Sequence, residues 1–141
     1  MYMANMINSG YVLLTSAGFL NPKIASSFVA IAKNNGKKKV VIVTTAAEGK
    51  ENNTYSKLAK EQLEKMGFAP IDFLDLETQS VDFVANYDVI YVCGGNTFKL
   101  LKFARETNLK DAILKVLKRG GLYIGVSAGS LLVGPSIQIA N

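Results

Sequence analysis

Apolar and polar positions alternate along this chain in blocks that read as strand, helix, strand, helix. Tyr11 to Thr15 is a short apolar run closed by Ser16 and Gly18. Asn21-Pro22 then opens a helix, with proline in the first turn where no amide hydrogen bond is lost. The apolar face of that helix is Ile24, Phe28, Ile31 and Ala32, and Asn35-Gly36 ends it. Val40 to Val43 is a second buried strand. Residues 44–53 form a largely polar loop, and Asn53 or Thr54 caps a helix that buries Leu58, Leu63 and Met66 and stops at Gly67. Ile71 to Leu76 is a third strand, residues 77–86 a short helix, and Val89 to Cys93 a fourth strand ended by Gly94-Gly95. Helical periodicity covers 97–106 and 109–119, closed by Gly120-Gly121, and Leu122 to Val126 is the fifth strand.

Strands that are apolar on both faces and separated by helices predict an α/β fold, a mainly parallel sheet with helices on both faces. No repeat, low-complexity tract or linker divides residues 1–141, so a single domain is expected. In such sheets ligands sit beyond the carboxyl ends of the strands. Three of those ends are chemically suggestive: Thr44-Thr45, Gly94-Gly95-Asn96-Thr97, and the turn at Ser127.

Composition narrows the class. A chain of 141 residues, 49% hydrophobic and 19% charged, is globular rather than disordered. At that length about 70% of the unfolded surface can be buried. The net charge of +5 comes mostly from lysine, with only Arg105 and Arg119 as arginines. The lysines are scattered over predicted helix faces, and the one run, Lys37 to Lys39, sits at a turn before a strand. Solvated surface is the expected reading, with no nucleic-acid partner. The single cysteine excludes an internal disulfide and fits a reducing compartment. Met1 to Gly10 has no basic region or long apolar run of the signal-peptide kind, and no segment approaches ~18 uninterrupted apolar residues. A cytoplasmic protein without a membrane partner is expected.

The richest chemistry lies in Leu122 to Ser130. A buried strand runs there into Gly125-Val126-Ser127-Ala128-Gly129, the G-x-S-x-G pattern of a tight strand-to-helix turn that lifts a serine nucleophile out of a sheet. The alternative is an ordinary turn that binds an anion at a helix N-terminus. Gly94-Gly95-Asn96-Thr97 reads in two ways. Either the glycines permit unusual backbone angles while Asn96 or Thr97 caps the next helix, or the Gly95 and Ala128 amides converge as an oxyanion hole. Cys93 is expected to be a small buried hydrophobe. A serine nucleophile needs a base, and the chain contains no histidine. Lys23 or Lys99 near the sheet's carboxyl edge would be the substitute, although solvated surface is the default for each. No metal site is expected, nor a dinucleotide or ATP cofactor, because ligand spacing, G-x-G-x-x-G and a phosphate loop are all missing.

Two segments together, Val92 to Leu101 (VCGGNTFKLL) and Lys118 to Ser130 (KRGGLYIGVSAGS), followed by Pro135, resemble the peptidase E family of serine peptidases. The resemblance implies the class I glutamine amidotransferase-like fold, a flavodoxin-like arrangement. It implies cofactor-free hydrolysis of Asp-X dipeptides, with Ser127 as nucleophile and Gly95 and Ala128 as oxyanion amides. Gly94, Asn96, Thr97 and Gly129 are the accompanying candidates for substrate contact. The family's histidine and acidic partner lie downstream of the serine, and only eleven residues follow Ser130. The expectation is therefore a chain lacking the C-terminal part of the fold and inactive or nearly so by itself. The alternative is a degenerate, non-catalytic member that binds small ligands or a partner. An unfinished sheet would also favour a homo-oligomer.

Overall fold

A computed structural model of the chain describes residues 2–7, 10–34, 36 and 38–132. Asn35 of the first helix stop, Lys37 of the lysine run and Pro135 of the second motif lie outside the described residues. Among the described residues six strands form one sheet: β1 (Tyr2–Ile7), β2 (Gly10–Thr15), β3 (Val40–Val43), β4 (Ile71–Leu74), β5 (Val89–Val92) and β6 (Leu122–Val126). Their spatial order is β1-β2-β6-β5-β3-β4. The five strands from β2 to β4 run parallel, as the alternating pattern predicts. β1 is an addition to that prediction. It pairs antiparallel with β2, from Tyr2 opposite Thr15 to Ile7 opposite Gly10. Its sequence, YMANMI, has neither clean alternation nor a β-branched run, and the ladder to β2 decides its conformation instead.

The helices α1 (Pro22–Asn34), α2 (Thr54–Lys65), α3 (Thr97–Thr107) and α4 (Leu109–Lys118) cover the sheet. The period-two geometry of a strand divides the core into two layers. Leu13, Val40, Ile42, Val89, Tyr91, Leu122 and Ile124 point to one face and pack on Ile24 and Phe28 of α1 and Leu63 of α2. Val12, Val41, Val43, Ile90, Val92 and Tyr123 point to the other and pack on Leu100 of α3 and Leu109, Ile113 and Leu117 of α4. Every residue of β3 and β5 is buried, whereas edge strand β4 exposes Asp72.

Local chemistry sets the boundaries. The Asn53 side chain caps α2 by accepting the Tyr55 N–H, and the Asn96 side chain caps α3 by accepting the Lys99 N–H. Asn108 takes a left-handed conformation (φ +58°), which lets α3 end and α4 begin at one residue. The expected short helix over 77–86 is a 3-10 helix over Val81–Asn86, and the third strand stops at Leu74 rather than Leu76. The Leu76 N–H leaves the ladder to bond the Thr45 hydroxyl (2.9 Å). On α1 the fully buried stripe is Ile24, Phe28 and Ala32, with Ile31 only partly covered, and Leu58 of α2 and Met66 at its C-cap are likewise half-buried. No helix of the described residues is long and apolar enough to cross a membrane.

Neighbouring strands β3 and β5 send their chains to opposite faces of the sheet, to α2 and to α3. A crevice opens at their carboxyl ends where the chains diverge, the usual ligand position in such folds. Phe28 is the pivot of the layer beneath it. It is fully buried, with ring centroids 5.1 Å from Phe19 and 4.9 Å from Phe68. Phe28→Ala is expected to destabilise the protein by about 3–5 kcal/mol, read from the midpoint of urea unfolding. A loss under about 1 kcal/mol would mean that this aromatic cluster does not hold α1 to the sheet.

Candidate active site

The turn after β6 is built from backbone approaches that leave no room for side chains. A methyl group at Gly125 would lie 2.5 Å from the Gly129 carbonyl oxygen, and one at Gly129 would lie 2.5 Å from the Val92 carbonyl oxygen of β5. Both glycines of the motif are thus required by contact. The serine between them sits at φ +53°, in the left-handed region that an L-residue enters at a cost of roughly 1–2 kcal/mol. A helix begins immediately afterwards and covers residues 128–132.

Several bonds hold the chain in that shape. The Ser127 N–H donates to the Thr15 carbonyl at the end of β2 (2.8 Å). The Ser130 hydroxyl accepts the Thr15 N–H (3.0 Å) and lies within donating distance of the Thr15 and Gly125 carbonyls (2.8 and 2.9 Å). The buried Tyr123 hydroxyl donates to the Gly129 carbonyl (2.6 Å). The turn is therefore tied to β2 and β6 at once. Ser127 itself stays exposed, and its Oγ has no hydrogen-bond partner among the described residues.

The second loop meets the first at this point. A methyl group on Gly94 would lie 3.0 Å from Ser127 Cβ and 3.7 Å from its Oγ. Gly95 takes φ +141° and presses against the Ala46 carbonyl, so that a Cβ there has no space. The Asn96 N–H donates to the same carbonyl (2.9 Å). Ser127, Gly94 and Gly95 line a cleft of about 480 Å³. Its opposite wall comes from the loop after β3 and from α2, through Glu48, Asn53, Tyr55 and Gln62. Among the described lining residues Glu48 is the one carboxylate, and no lysine or arginine is present.

Residues 12–141 match the sequence profile of Peptidase family S51. The chain belongs to that family. It is 41% identical over 87 residues to an uncharacterized peptidase of Listeria innocua, a match covering 59% of this chain and 41% of the relative. It is 50% identical over 58 residues to peptidase E of Escherichia coli, covering 41% of this chain and 25% of the relative. In structure it resembles a candidate peptidase E of Listeria monocytogenes, with TM-score 0.67 and 29% identity over 94% of this chain and 62% of that one. A peptidase from an acI-B1 Actinobacterium shares the fold, with TM-score 0.66 and 24% identity over 91% and 57% of the two chains. The match thus spans less than half the length of these curated relatives and about three fifths of the solved structures.

Of the remaining candidates of this S51 chain, Cys93 lines the cleft and the others do not. The Asn96 side chain is occupied as the α3 cap (3.0 Å to Lys99 N), and neither it nor Thr97 lines the cleft. Gly129 and the Ala128 side chain are buried beneath the turn, which leaves the Ala128 backbone as the part nearest Ser127. Thr44 and Thr45 are buried and do not line the cleft: the Thr44 hydroxyl donates to the Leu74 carbonyl at the end of β4, and the Thr45 hydroxyl accepts the Leu76 N–H. Cys93 is a buried floor residue of the cleft, 3.7 Å from the Ser56 hydroxyl, and burial pushes its thiol up to about 11. A thiol so protonated at neutral pH is a poor nucleophile. Lys99 pairs with Glu77 (3.2 Å), which raises its pKa, the wrong direction for a base. Lys23 is exposed on the first turn of α1 and does not line the cleft.

What sequence reasoning missed is the far wall of the cleft. Glu48, Asn53, Tyr55 and Gln62 carry no catalytic motif: Glu48 lies in the loop beyond β3, Asn53 caps α2, and Tyr55 and Gln62 are on α2. The strain at Ser127 gives a direct test of the turn. Ser127→Gly should stabilise the protein by about 0.5–1 kcal/mol, because glycine enters the left-handed region without the Cβ clash. Ser127→Ala should leave stability within about 0.5 kcal/mol of the parent. Urea unfolding of both variants checks this, and a destabilising Ser127→Gly would contradict the strained turn.

Proposed function

We propose that Ser127 is the nucleophile of a peptidase E-type serine peptidase site for dipeptides with an N-terminal aspartate. The carrying observation is a serine held at φ +53° in a cleft, its Oγ free among the described residues and facing Gly94. Attack would form a bond from Oγ to the peptide carbonyl carbon and move the carbonyl electron pair onto oxygen. The Gly95 and Ala128 N–H groups are the donors assigned to that oxygen. Gly95 N–H has no backbone acceptor among the described residues, and Ala128 opens a helix, where the first N–H groups lack intrahelical partners.

The Oγ proton must leave as the bond forms. The 141 residues contain no histidine to receive it, and the two candidate lysines stand elsewhere. Loss of one triad member lowers turnover by about 10⁴ or more, with a residual rate left to the oxyanion donors and binding. The chain is thus a site that binds and orients its substrate while the proton step is missing. Aspartyl-leucine should shift the amide resonances of Gly95 and Ala128 in a saturable way while leucine release stays far below ~1 s⁻¹. Ordinary turnover would overturn the inactive reading, and unmoved amides would overturn the binding one.

Glu48 gives the site a polarity. A carboxylate in a cleft without a described cation attracts the α-ammonium of a dipeptide. Glu48→Gln is expected to weaken binding of aspartyl-leucine by about fivefold to tenfold and to leave its N-acetyl derivative unaffected. Equal losses for both ligands would remove Glu48 from recognition.

A further inference from the structure

Away from the cleft, four charged side chains meet where the loop after β3, the chain after β4 and the first turn of α3 come together. Lys50 donates to the Thr45 carbonyl (2.7 Å) and lies 3.4 Å from Asp75 Oδ1. It also makes a close ion pair with Glu77. The same Glu77 oxygen, Oε2, accepts Lys99 Nζ from α3 (3.2 Å). Asp75 is further fixed by receiving the Glu77 N–H (3.1 Å), and the Gln79 side chain accepts the Asp75 N–H (2.8 Å). One carboxylate thus bridges two lysines that belong to different elements.

The backbone at Lys50 adds an independent observation. Lys50 sits at φ +54°, directly after Gly49 at φ +80°. An L-residue with a long side chain is disfavoured there, and glycine would fit without strain. A lysine at that position is consistent with a requirement for its ammonium. The two elements joined through Glu77 are also those that meet at the oxyanion segment. The loop after β3 presents the Ala46 carbonyl, against which Gly95 packs and to which Asn96 donates. α3 begins at the Asn96 cap, three residues before Lys99.

We propose that Glu77 is a positioning residue for the Gly95–Asn96 segment, drawing Lys50 and Lys99 together so that the Ala46 carbonyl fixes the Gly95 backbone. Its catalytic meaning rests on the assignment of Gly95 as an oxyanion donor, while the geometry it predicts does not. Glu77 does not itself line the cleft, so removing its charge loosens the α3 side of the joint and reaches the cleft only through the Gly95 backbone. Removing Lys99 breaks one arm and leaves the Lys50 arm intact.

The test uses the full ¹⁵N-labelled chain without ligand, comparing Glu77→Gln and Lys99→Gln with the parent. The expected result is displaced Gly95 and Asn96 amide resonances and Asn96 hydrogen exchange faster by about tenfold, with the β5 and β6 amides unchanged. Lys99→Gln should give the smaller change of the two. It also keeps the test open if Glu77→Gln fails to fold, since Lys99 is the more exposed partner. Unmoved Gly95 and Asn96 amides, or exchange accelerated equally in β5 and β6, would overturn the proposal. Aspartyl-leucine added to the parent separates the two ideas. A Gly95 amide that responds to Glu77→Gln but not to the dipeptide sinks the oxyanion assignment alone.

Discussion

The close approach of the turn after β6 to the backbone of β5 is the constraint on which the rest of the structure depends. Gly129 lies under the Val92 carbonyl, and Gly125 lies under the Gly129 carbonyl, each at a distance that excludes a methyl group. Interiors are packed densely enough that such contacts cannot be relieved by small adjustments elsewhere. With the two backbones this near, the chain leaving β6 has little choice of direction, and Ser127 is pushed outward in a conformation that serine does not choose freely. The energy to hold it comes from the turn's bonds to Thr15 and from the burial of Tyr123 and Ala128 beneath it.

Polar chemistry and charge occupy separate places around this frame. The cleft is walled largely by neutral groups, with Glu48 as the described carboxylate. The lysine-bearing cluster at Glu77 lies one loop away, at the joint between the β3 loop and α3. Most of the excess positive charge sits on exposed helix surface, where water screens it. Position in the cleft rather than overall charge therefore governs what the site attracts.

The parallel sheet was legible because β3, β5 and β6 are buried on both faces and so read as unbroken apolar runs. The turn at Ser127 was legible because backbone contact admits only glycine at 125 and 129. β1 was not, since a mixed apolar and polar sequence becomes a strand only when β2 supplies the ladder. The cleft wall from Glu48 to Gln62 was not either. Those residues come to one cleft with Ser127 through the order of strands in space, which separates β3 from β6 by β5, and no local pattern encodes that. Asn96 shows the limit from the other side. Its motif allowed both a cap and a substrate contact, and the helix it begins takes its side chain for the cap.

The pairing of β5 with β6 has one more implication. Ser127 hangs one residue beyond β6 and Gly95 three beyond β5, and the register that matches Val92 with Gly125 fixes how far apart they stand. The spacing of Ser127 and Gly95 is thus measured by the sheet's own ladder, not by a flexible arm. A slip of one residue would turn every side chain of β6 to the wrong layer, so intermediate spacings are not stable alternatives. The pair should remain aligned until the central sheet gives way, and then be lost with it in the same cooperative event.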